Sequence, residues 1–381
     1  MRIGLISGEY PPMQGGVADY TRELAVALAA LGHEVYILTD RRGTGRGDPG
    51  VAVGARVNNW NRAALLTVRR WARVKRLNVV NIQYQAAAYR MAGLVHLLPR
   101  LLKSIPVVTT FHDLRVPYLF PKAGALREKA VLELARGARA VIVTNREDGK
   151  KLQETHGIRR LEHIPIGSNI TAGPPPDYDR AAWREKLGIL PGEMLVGYFG
   201  FLNSSKGVET LLHATARARA DGTPLRLLMI GGRTGDSDPT NAAYARQIDT
   251  LIETLGIAGQ ILWTGYVDTQ EVSGHLYACD CCALPYQDGV SFRRGSFMAA
   301  LAHGCPTITT TPAFYTPELV NGKNVYLIAP GSVRGLAVAL QMLAAKPHLR
   351  QRLSEGAREL AEHFTWDRIA AQTAALFEEI L

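Results

Sequence analysis

The sequence has few cysteines and no long hydrophobic run, and both absences narrow the classes of protein it can encode. Only four cysteines occur among 381 residues, and they contain no pair of C-x-x-C units: Cys279, Cys281, Cys282 and Cys305. Buried free thiols in a reducing, cytosolic location are therefore expected instead of a zinc site. Apolar runs such as residues 140–143 have the length of a strand, far below the roughly 20 residues that span a membrane. The first residues predict a buried strand and no signal peptide.

Acidic residues are under-represented in the first half of the chain. Residues 1–172 contain 26 Lys and Arg against 13 Asp and Glu, whereas the remaining residues contain 18 against 21. The whole net charge of +10 therefore arises in the first half, which is expected to meet an anionic partner. No nucleic-acid-binding motif accompanies the charge, so nucleic acid is not expected.

The chain is long enough for two α/β domains. An apolar content of 47% with 20% charged residues is typical of a folded globular protein. A chain of 381 residues is longer than a domain with a single hydrophobic core usually is. A strand at residues 2–7, a helix after Gly15 and Gly16, and a strand at 34–39 form one βαβ unit, and the same alternation restarts at residue 194. Three prolines at 174–176 indicate a stiff connector between the halves.

A loop followed by a helix, residues 285–306, is the first candidate site. Its front contains Asp288, the pair Arg293 and Arg294, and then Gly295 and Ser296, ahead of an apolar helical run. A loop of this kind gathers backbone N–H groups at the positive end of a helix, and guanidinium groups match phosphate oxygens. The spacing alone is equally compatible with a solvated connection between a helix and a strand.

Three further features are candidates for a site. Lys206 lies at the start of a helix, where a cation is unfavourable unless it faces an anion. His112 follows the strand at 107–111, and ligands bind at the carboxyl ends of such strands, although a structural histidine is the alternative. Gly15 and Gly16 fit neither G-x-G-x-x-G nor a Walker loop, so they indicate either a backbone surface for a ligand or a tight turn.

Basic residues also surround an apolar stripe. Residues 62–76 contain six of them together with Trp71, and residues 90–104 add Arg90, Arg100 and Lys103. A basic amphipathic helix can lie on an anionic membrane surface. It can equally cover a sheet with its charges in solvent.

The order of the motifs resembles glycosyltransferase family 4, whose members are retaining enzymes of the GT-B fold. The resemblance covers the whole chain and rests on residues 10–20, 111–113, 164–169, 200–207, 230–232, 265–267 and 300–306. It implies an α/β protein with GT-B architecture, in which two Rossmann-like doubly wound domains face each other across a cleft. Residues 1–172 would be the acceptor side and residues 173–363 the donor side. The C-terminal helix, residues 364–381, would pack back on the first domain.

The resemblance also implies roles for individual residues. His112 would contact the transferring sugar, Lys206 would bind the donor diphosphate, and Gly15 and Gly16 would lie beside the phosphates. The nucleotide would be held by Gly232, Arg233, Tyr266 and Val267.

Two positions depart from the family pattern. Phe201 replaces an arginine, and the two family glutamates fall on Ser291 and Ala299. We therefore expect Asp288 to take over the role of the first glutamate. The missing phosphate contact would come from Arg293 and Arg294, with Gly295 and Ser296 beside them.

The implied activity is the transfer of a sugar from a nucleotide-diphosphate donor to a glycan, lipid or small-molecule acceptor, as in a hexosyltransferase. Retention of configuration and independence of metal and other cofactors are expected. Two alternatives remain: a catalytically impaired GT-B pseudo-enzyme that binds nucleotide or glycan, and a GT-B nucleotide-sugar epimerase. The expected location is cytoplasmic, with the inner face of the membrane as a further option.

Overall fold

The computed structural model describes residues 1–45, 47–114, 124–233 and 240–381. The chain divides into two compact units, the first formed by Met1–Asn169 with Phe364–Leu381 and the second by Ile170–His363. Each unit contains one sheet in which every strand pairing is parallel. A parallel sheet needs helical crossovers on its faces, in agreement with the predicted α/β class.

The first sheet has seven strands in the order β3-β2-β1-β4-β5-β6-β7. Their bounds are β1 Arg2–Ser7, β2 Glu34–Asp40, β3 Val51–Val57, β4 Val79–Tyr84, β5 Val107–Phe111, β6 Ala140–Val143 and β7 Leu161–His163. The second has six in the order β10-β9-β8-β11-β12-β13. These are β8 Met194–Phe199, β9 Leu225–Ile230, β10 Ile261–Gly265, β11 Cys281–Leu284, β12 Thr307–Thr310 and β13 Tyr326–Ile328.

Thirteen α-helices lie within the described residues. Those before the second sheet are α1 Gly16–Ala30, α2 Arg62–Val74, α3 Leu98–Leu101, α4 Gly124–Gly137, α5 Arg146–Gln153 and α6 Arg180–Lys186. The others are α7 Val208–Ala220, α8 Thr240–Thr254, α9 Thr269–Ala278, α10 Gly295–Ala302, α11 Val333–Ala345, α12 Pro347–Ala361 and α13 Trp366–Ile380.

The expectation that residues 90–104 extend the basic helical surface is wrong. Arg90 and Met91 have φ angles of 51° and 62°, so the chain turns there instead of entering a helix. A short 3₁₀ turn, Gly93–Leu97, follows, and α3 is only four residues long. The helix α2 does form, with Trp71 pointing into the core at 5% exposure.

The two faces of the first sheet are covered by different helices. One face packs against α1 and α13 through residues such as Leu24, Leu28, Ile369 and Phe377, all fully buried. Each such side chain contributes about 1.5–3 kcal/mol relative to an exposed position, which fastens the C-terminal helix to the first unit. The other face is covered by the helices α2, α3, α4 and α5.

The strand order reverses once in each sheet. In the first sheet this switch point lies between β1 and β4, and in the second between β8 and β11. Crossovers on either side leave opposite faces there, which opens a crevice at the carboxyl ends of the strands. The loops that follow β1, β4, β8 and β11 are therefore the places where each unit can bind a ligand.

Candidate functional site

The loop after β8 is shaped by two glycines. Gly200 has φ 122° and Gly207 has φ 70°, a conformation that L side chains rarely adopt. A Cβ atom at Gly207 would lie 2.0 Å from the backbone oxygen of Pro285, so the loop packs closely against the end of β11. Between the glycines, the side chain of Asn203 accepts a hydrogen bond from the Ser205 N–H at 2.9 Å and begins a 3₁₀ turn that ends at Lys206.

Lys206 projects back across this loop. Its Nζ lies 2.8 Å from the position that a Cβ atom at Gly200 would take, so the ammonium group lies directly against this glycine. Burial, with repulsion from Arg294, lowers the pKa of Lys206 to about 8. Among the described residues, no carboxylate forms an ion pair with this ammonium group. A partly buried cation without a carboxylate partner in the described residues is a candidate binding site for an anion.

Asp288 holds both arginines of the loop after β11. Its carboxylate accepts a short hydrogen bond from Arg294 Nη2 and lies 3.7 Å from Arg293 Nη2. The Arg294 guanidinium also lies 4.8 Å from the centre of the Tyr286 ring, whose hydroxyl is 2.7 Å from Ser296 Oγ at the start of α10. All three charged side chains are mostly buried.

The two loops form one surface. The Gln287 N–H donates to the Ser205 oxygen at 2.9 Å, and the Gln287 side chain donates to Thr210 Oγ1 at 3.1 Å. This joins Lys206 to Asp288, Arg293 and Arg294, a group that we call the cationic cluster. Three cations against one carboxylate leave a net charge of +2, directly in front of α10, which begins at Gly295.

The residues expected to hold a nucleotide lie at the ends of β9 and β10. Gly231 and Gly265 form an isolated bridge that brings these ends together, with Gly232 and Arg233 on one side and Tyr266 and Val267 on the other. The Arg233 guanidinium lies 4.2 Å from the centre of the Trp263 ring and 2.6 Å from Asp249. The Tyr266 side chain is 68% exposed, so its ring can stack on a flat base.

A carboxylate occupies the N-terminus of α1 in the first unit. Glu9 Oε1 accepts hydrogen bonds from the N–H groups of Val17 and Ala18, each at 3.2 Å. A Cβ atom at Gly15 would lie 2.2 Å from this oxygen, whereas one at Gly16 would meet nothing within 4 Å. Gly15 therefore makes room for the Glu9 carboxylate, whereas Gly16 offers open backbone to a ligand. Glu9 was missed in the sequence, where its only signal is its place between a strand and the glycine pair.

His112 lies directly after β5, held on two sides. Its Nε2 is 2.9 Å from Gln83 Oε1, and the edge of the ring meets the Tyr20 ring at a centroid distance of 4.5 Å. Burial lowers the pKa of His112 to about 3, so the imidazole is neutral at physiological pH.

The predicted residues thus fall into two groups. The second unit brings together Lys206, Asp288, Arg293, Arg294, Gly295 and Ser296, with the nucleotide residues on neighbouring strands of the same sheet. His112, Gly15 and Gly16 belong to the first unit. Of the two positions of the missing glutamates, Ala299 is fully buried inside α10. Ser291 is half-buried, and its inaccessible hydroxyl has no hydrogen-bond partner in the described residues.

The cysteines are buried free thiols, as predicted, and Cys282 Sγ lies 3.4 Å from Cys305 Sγ. Within the described ranges, no group of three or more His, Cys, Asp or Glu side chains is placed to hold a metal ion. None of the helices described is both long and apolar enough to cross a membrane.

Comparison with known proteins agrees with this architecture. Residues 15–167 match the glycosyl transferase 4-like domain, and residues 193–346 match the glycosyl transferases group 1 domain. The D-inositol 3-phosphate glycosyltransferase of Rhodococcus erythropolis is 28% identical over 385 residues, which cover 93% of this chain and 84% of the relative. The glycogen synthase of Mycobacterium tuberculosis is 28% identical over 417 residues, with 99% and 94% covered.

Two solved structures share the fold. Sucrose-phosphate synthase from Thermosynechococcus elongatus superposes with a TM-score of 0.76 at 23% identity, covering 100% of this chain and 99% of that one. Anabaena HepE, solved in complex with UDP and glucose, gives 0.77 at 19% identity, with 99% of both chains covered. Two matched domains on two parallel sheets define a glycosyltransferase of the GT-B fold. The chain belongs to the family 4 glycosyltransferases, which confirms the family, the fold and the class of enzyme inferred from the motifs.

Proposed function

We propose that the chain transfers a sugar from a nucleotide-diphosphate donor to a hydroxyl acceptor, with the diphosphate bound by the cationic cluster. The observation that carries the proposal is Lys206, whose ammonium group meets no carboxylate among the described residues and lies close to Arg294. A nucleotide diphosphate brings about two negative charges, which the net +2 of the cluster complements.

The cluster would act on the leaving group. When the bond between the sugar and the diphosphate breaks, negative charge grows on the phosphate oxygens while the sugar becomes oxocarbenium-like. Lys206, the two arginines and the N-terminus of α10 are already in place, so they stabilise that charge without reorganising. As the bond between the anomeric carbon and the phosphate oxygen breaks, the acceptor oxygen would bond to the anomeric carbon from the same face and pass its proton to the departing phosphate oxygen. This would give retention, and none of these steps requires a metal.

The roles of His112 and Asp288 follow from their settings. A neutral imidazole can accept a hydrogen bond from a sugar hydroxyl, so we expect the His112→Ala variant to lose turnover with little change in donor affinity. Asp288, tied to both arginines, would orient them and, through a carboxylate oxygen, contact the donor sugar.

For the nucleotide and the acceptor, only the chemical class is proposed. UDP is the nucleotide in the HepE complex, so it is the first to test with Arg233, Tyr266 and their glycine neighbours. The excess of basic residues in the first unit supports an anionic acceptor or one presented at an anionic membrane surface.

A donor screen tests the proposal. The purified chain is incubated with a panel of nucleotide sugars, and release of nucleotide diphosphate is followed with and without candidate acceptors. Slow release from one donor, lost in the Lys206→Ala variant and kept in the Lys323→Ala variant, would support it. Lys323 is an exposed lysine paired with Glu359 in the same unit, so it controls for charge. Interconversion of donor sugars, or binding with no release by any donor, would contradict it.

A further inference from the structure

The strands beside His112 contain a buried polar chain. Asn81 and Gln83 on β4 and Thr110 on β5 are all fully inaccessible to solvent. Central strands of a parallel sheet are covered on both faces and are normally apolar, because a buried amide costs free energy unless it is hydrogen-bonded. Two amides and a hydroxyl at such positions therefore need an explanation.

The hydrogen bonds of this chain orient Gln83. Its Nε2 group donates a short hydrogen bond to Asn81 Oδ1, which also accepts one from Thr110 Oγ1 at 3.2 Å, and Asn81 Nδ2 lies 3.1 Å from the same hydroxyl. With its NH₂ group committed to Asn81, Gln83 presents its carbonyl oxygen to His112, at 2.9 Å from Nε2. A carbonyl oxygen can only accept, so Nε2 must carry the proton.

The other ring nitrogen is then left as an acceptor. A neutral imidazole protonated at Nε2 has a lone pair on Nδ1, and none of the described residues forms a hydrogen bond with that atom. The ring cannot easily turn away, because the Tyr20 ring packs on it edge to face. Trp366 supports Tyr20 at a ring distance of 5.2 Å and is itself fixed by donating to the Ser168 oxygen at 2.6 Å.

We propose that Gln83 is a positioning residue that holds His112 as the Nε2-protonated tautomer, which leaves Nδ1 to accept a hydrogen bond from a hydroxyl group of the bound sugar or acceptor. The inference rests on the proposed function for the identity of that hydroxyl, but the tautomer itself does not depend on it. The competing explanation is that the polar chain only ties β4 to β5.

The tautomer can be measured without substrate. The protein is labelled with ¹⁵N at histidine, and long-range ¹H–¹⁵N NMR spectra distinguish Nε2–H from Nδ1–H imidazoles. The His112 signals are assigned as those missing from the His112→Ala variant. We expect the Nε2–H form in the wild type and a mixture in Gln83→Leu. An Nδ1–H form in the wild type, or an unchanged single tautomer in Gln83→Leu, would overturn the proposal.

Kinetics add a second measurement. Gln83→Leu should lower kcat by about tenfold with little change in the donor KM. The reason is that the hydrogen bond from the substrate hydroxyl to His112 Nδ1 would be weakened mainly in the transition state. In Gln83→Glu the added carboxylate favours the imidazolium, which cannot accept a hydrogen bond, so activity should fall at low pH and recover as pH rises. Thr109→Val is the control, since Thr109 is equally buried on β5 and its hydroxyl has no hydrogen-bond partner in the described residues.

The two proposals can fail separately. If no nucleotide sugar is turned over, the NMR spectra still decide whether Gln83 sets the tautomer. If transfer occurs but Gln83→Leu and Thr109→Val have equal kinetics, the polar chain is structural and the role of Gln83 is refuted while the transferase activity stands.

Discussion

Glu9 fills the space that a side chain at Gly15 would need. The carboxylate oxygen lies 2.2 Å from the position of a Cβ atom at Gly15 and accepts two N–H groups at the start of α1. The Glu9 carboxylate thus already neutralises the positive end of this helix. A ligand phosphate can use the same N–H groups only if Glu9 moves, whereas the backbone at Gly16 is open.

Gly15→Ala should therefore destabilise the fold. The new methyl group must displace the Glu9 carboxylate, with loss of its two hydrogen bonds to the start of α1, at a cost of about 1–3 kcal/mol in the free energy of unfolding. Urea titration followed by circular dichroism measures it. The φ angle of Gly15 is 176°, which any residue adopts, so backbone strain does not add to the effect.

Gly16→Ala is the matched variant. A Cβ atom there meets nothing within 4 Å, so stability should be unchanged. If substrate approaches this backbone, Gly16→Ala should lower activity at unchanged stability. Equal stability of the wild type and Gly15→Ala would show that Glu9 does not depend on the glycine.

Lys206 predicts a pH dependence of stability with a definite sign. Its pKa is about 8 in the folded chain against the ordinary value of 10.5. Between these values the unfolded chain binds a proton that the folded chain does not, so the free energy of unfolding rises with pH across this window. Lys206→Met should lose this rise, while Lys323→Met should keep it. A slope that is identical in the wild type and Lys206→Met would contradict the buried, uncompensated lysine.

The same lysine predicts a pH dependence of binding. A bound diphosphate stabilises the ammonium form, so binding near and above pH 8 should take up a proton, and affinity should fall as pH rises further. Calorimetry in two buffers of different ionisation enthalpy gives the number of protons taken up. Absence of proton uptake in the wild type would place the diphosphate away from Lys206.

The sequence was sufficient to predict the loops at the switch points. Strand and helix periods locate β8 and α7, and a lysine at a helix start is unfavourable enough to be noticed. The edge strand β3 was missed because its burial alternates and it contains Gly54 and Arg56, which weaken the pattern. The turn at Arg90 and Met91 depends on left-handed backbone angles, which arginine and methionine rarely adopt, so the sequence does not predict it.

Contacts between side chains could not be predicted in the same way. The bonds from Gln83 to Asn81 and His112 depend on the register of β4 against β5, in which Gln83 lies beside Thr110. The pairing of Asp288 with both arginines depends on a loop that turns at Gly289, where φ is 83°. These residues lie in one stretch of the sequence, but the stretch alone does not show that both arginines share one carboxylate.

Asp288→Asn separates two roles for that carboxylate. If Asp288 only orients the arginines, removing its charge raises the net charge of the cluster by one and should strengthen nucleotide diphosphate binding by a fewfold, with modest change in turnover. If it also touches the transferring sugar, turnover should fall strongly while diphosphate affinity holds or rises. Titration with nucleotide diphosphate and steady-state kinetics distinguish these outcomes. Weaker diphosphate binding would show that the arginines need the carboxylate to reach the phosphates.

Helix α2 provides the last prediction, binding to an anionic membrane surface. Its outer face exposes Arg62, Arg69, Arg70 and Arg73. Two apolar residues of the same helix, Leu66 and Val74, are each 67% exposed. Trp71, which suggested membrane contact in the sequence, is buried in the core and cannot contribute. The attraction must therefore come mainly from the arginines, each worth about 1 kcal/mol near an anionic surface, with a small apolar addition from Leu66 and Val74.

Cosedimentation with vesicles tests this surface. The wild type should be recovered with vesicles that contain anionic lipid, much less with neutral ones, and less at high salt. The double variant Arg69→Glu with Arg73→Glu should lose recovery. The control, Lys103→Glu with Arg159→Glu, makes the same change in net charge at exposed positions of the first unit outside α2. If both double variants lose recovery equally, net charge explains the binding and α2 is not the docking surface; equal recovery of the wild type from neutral vesicles would rule out an electrostatic origin.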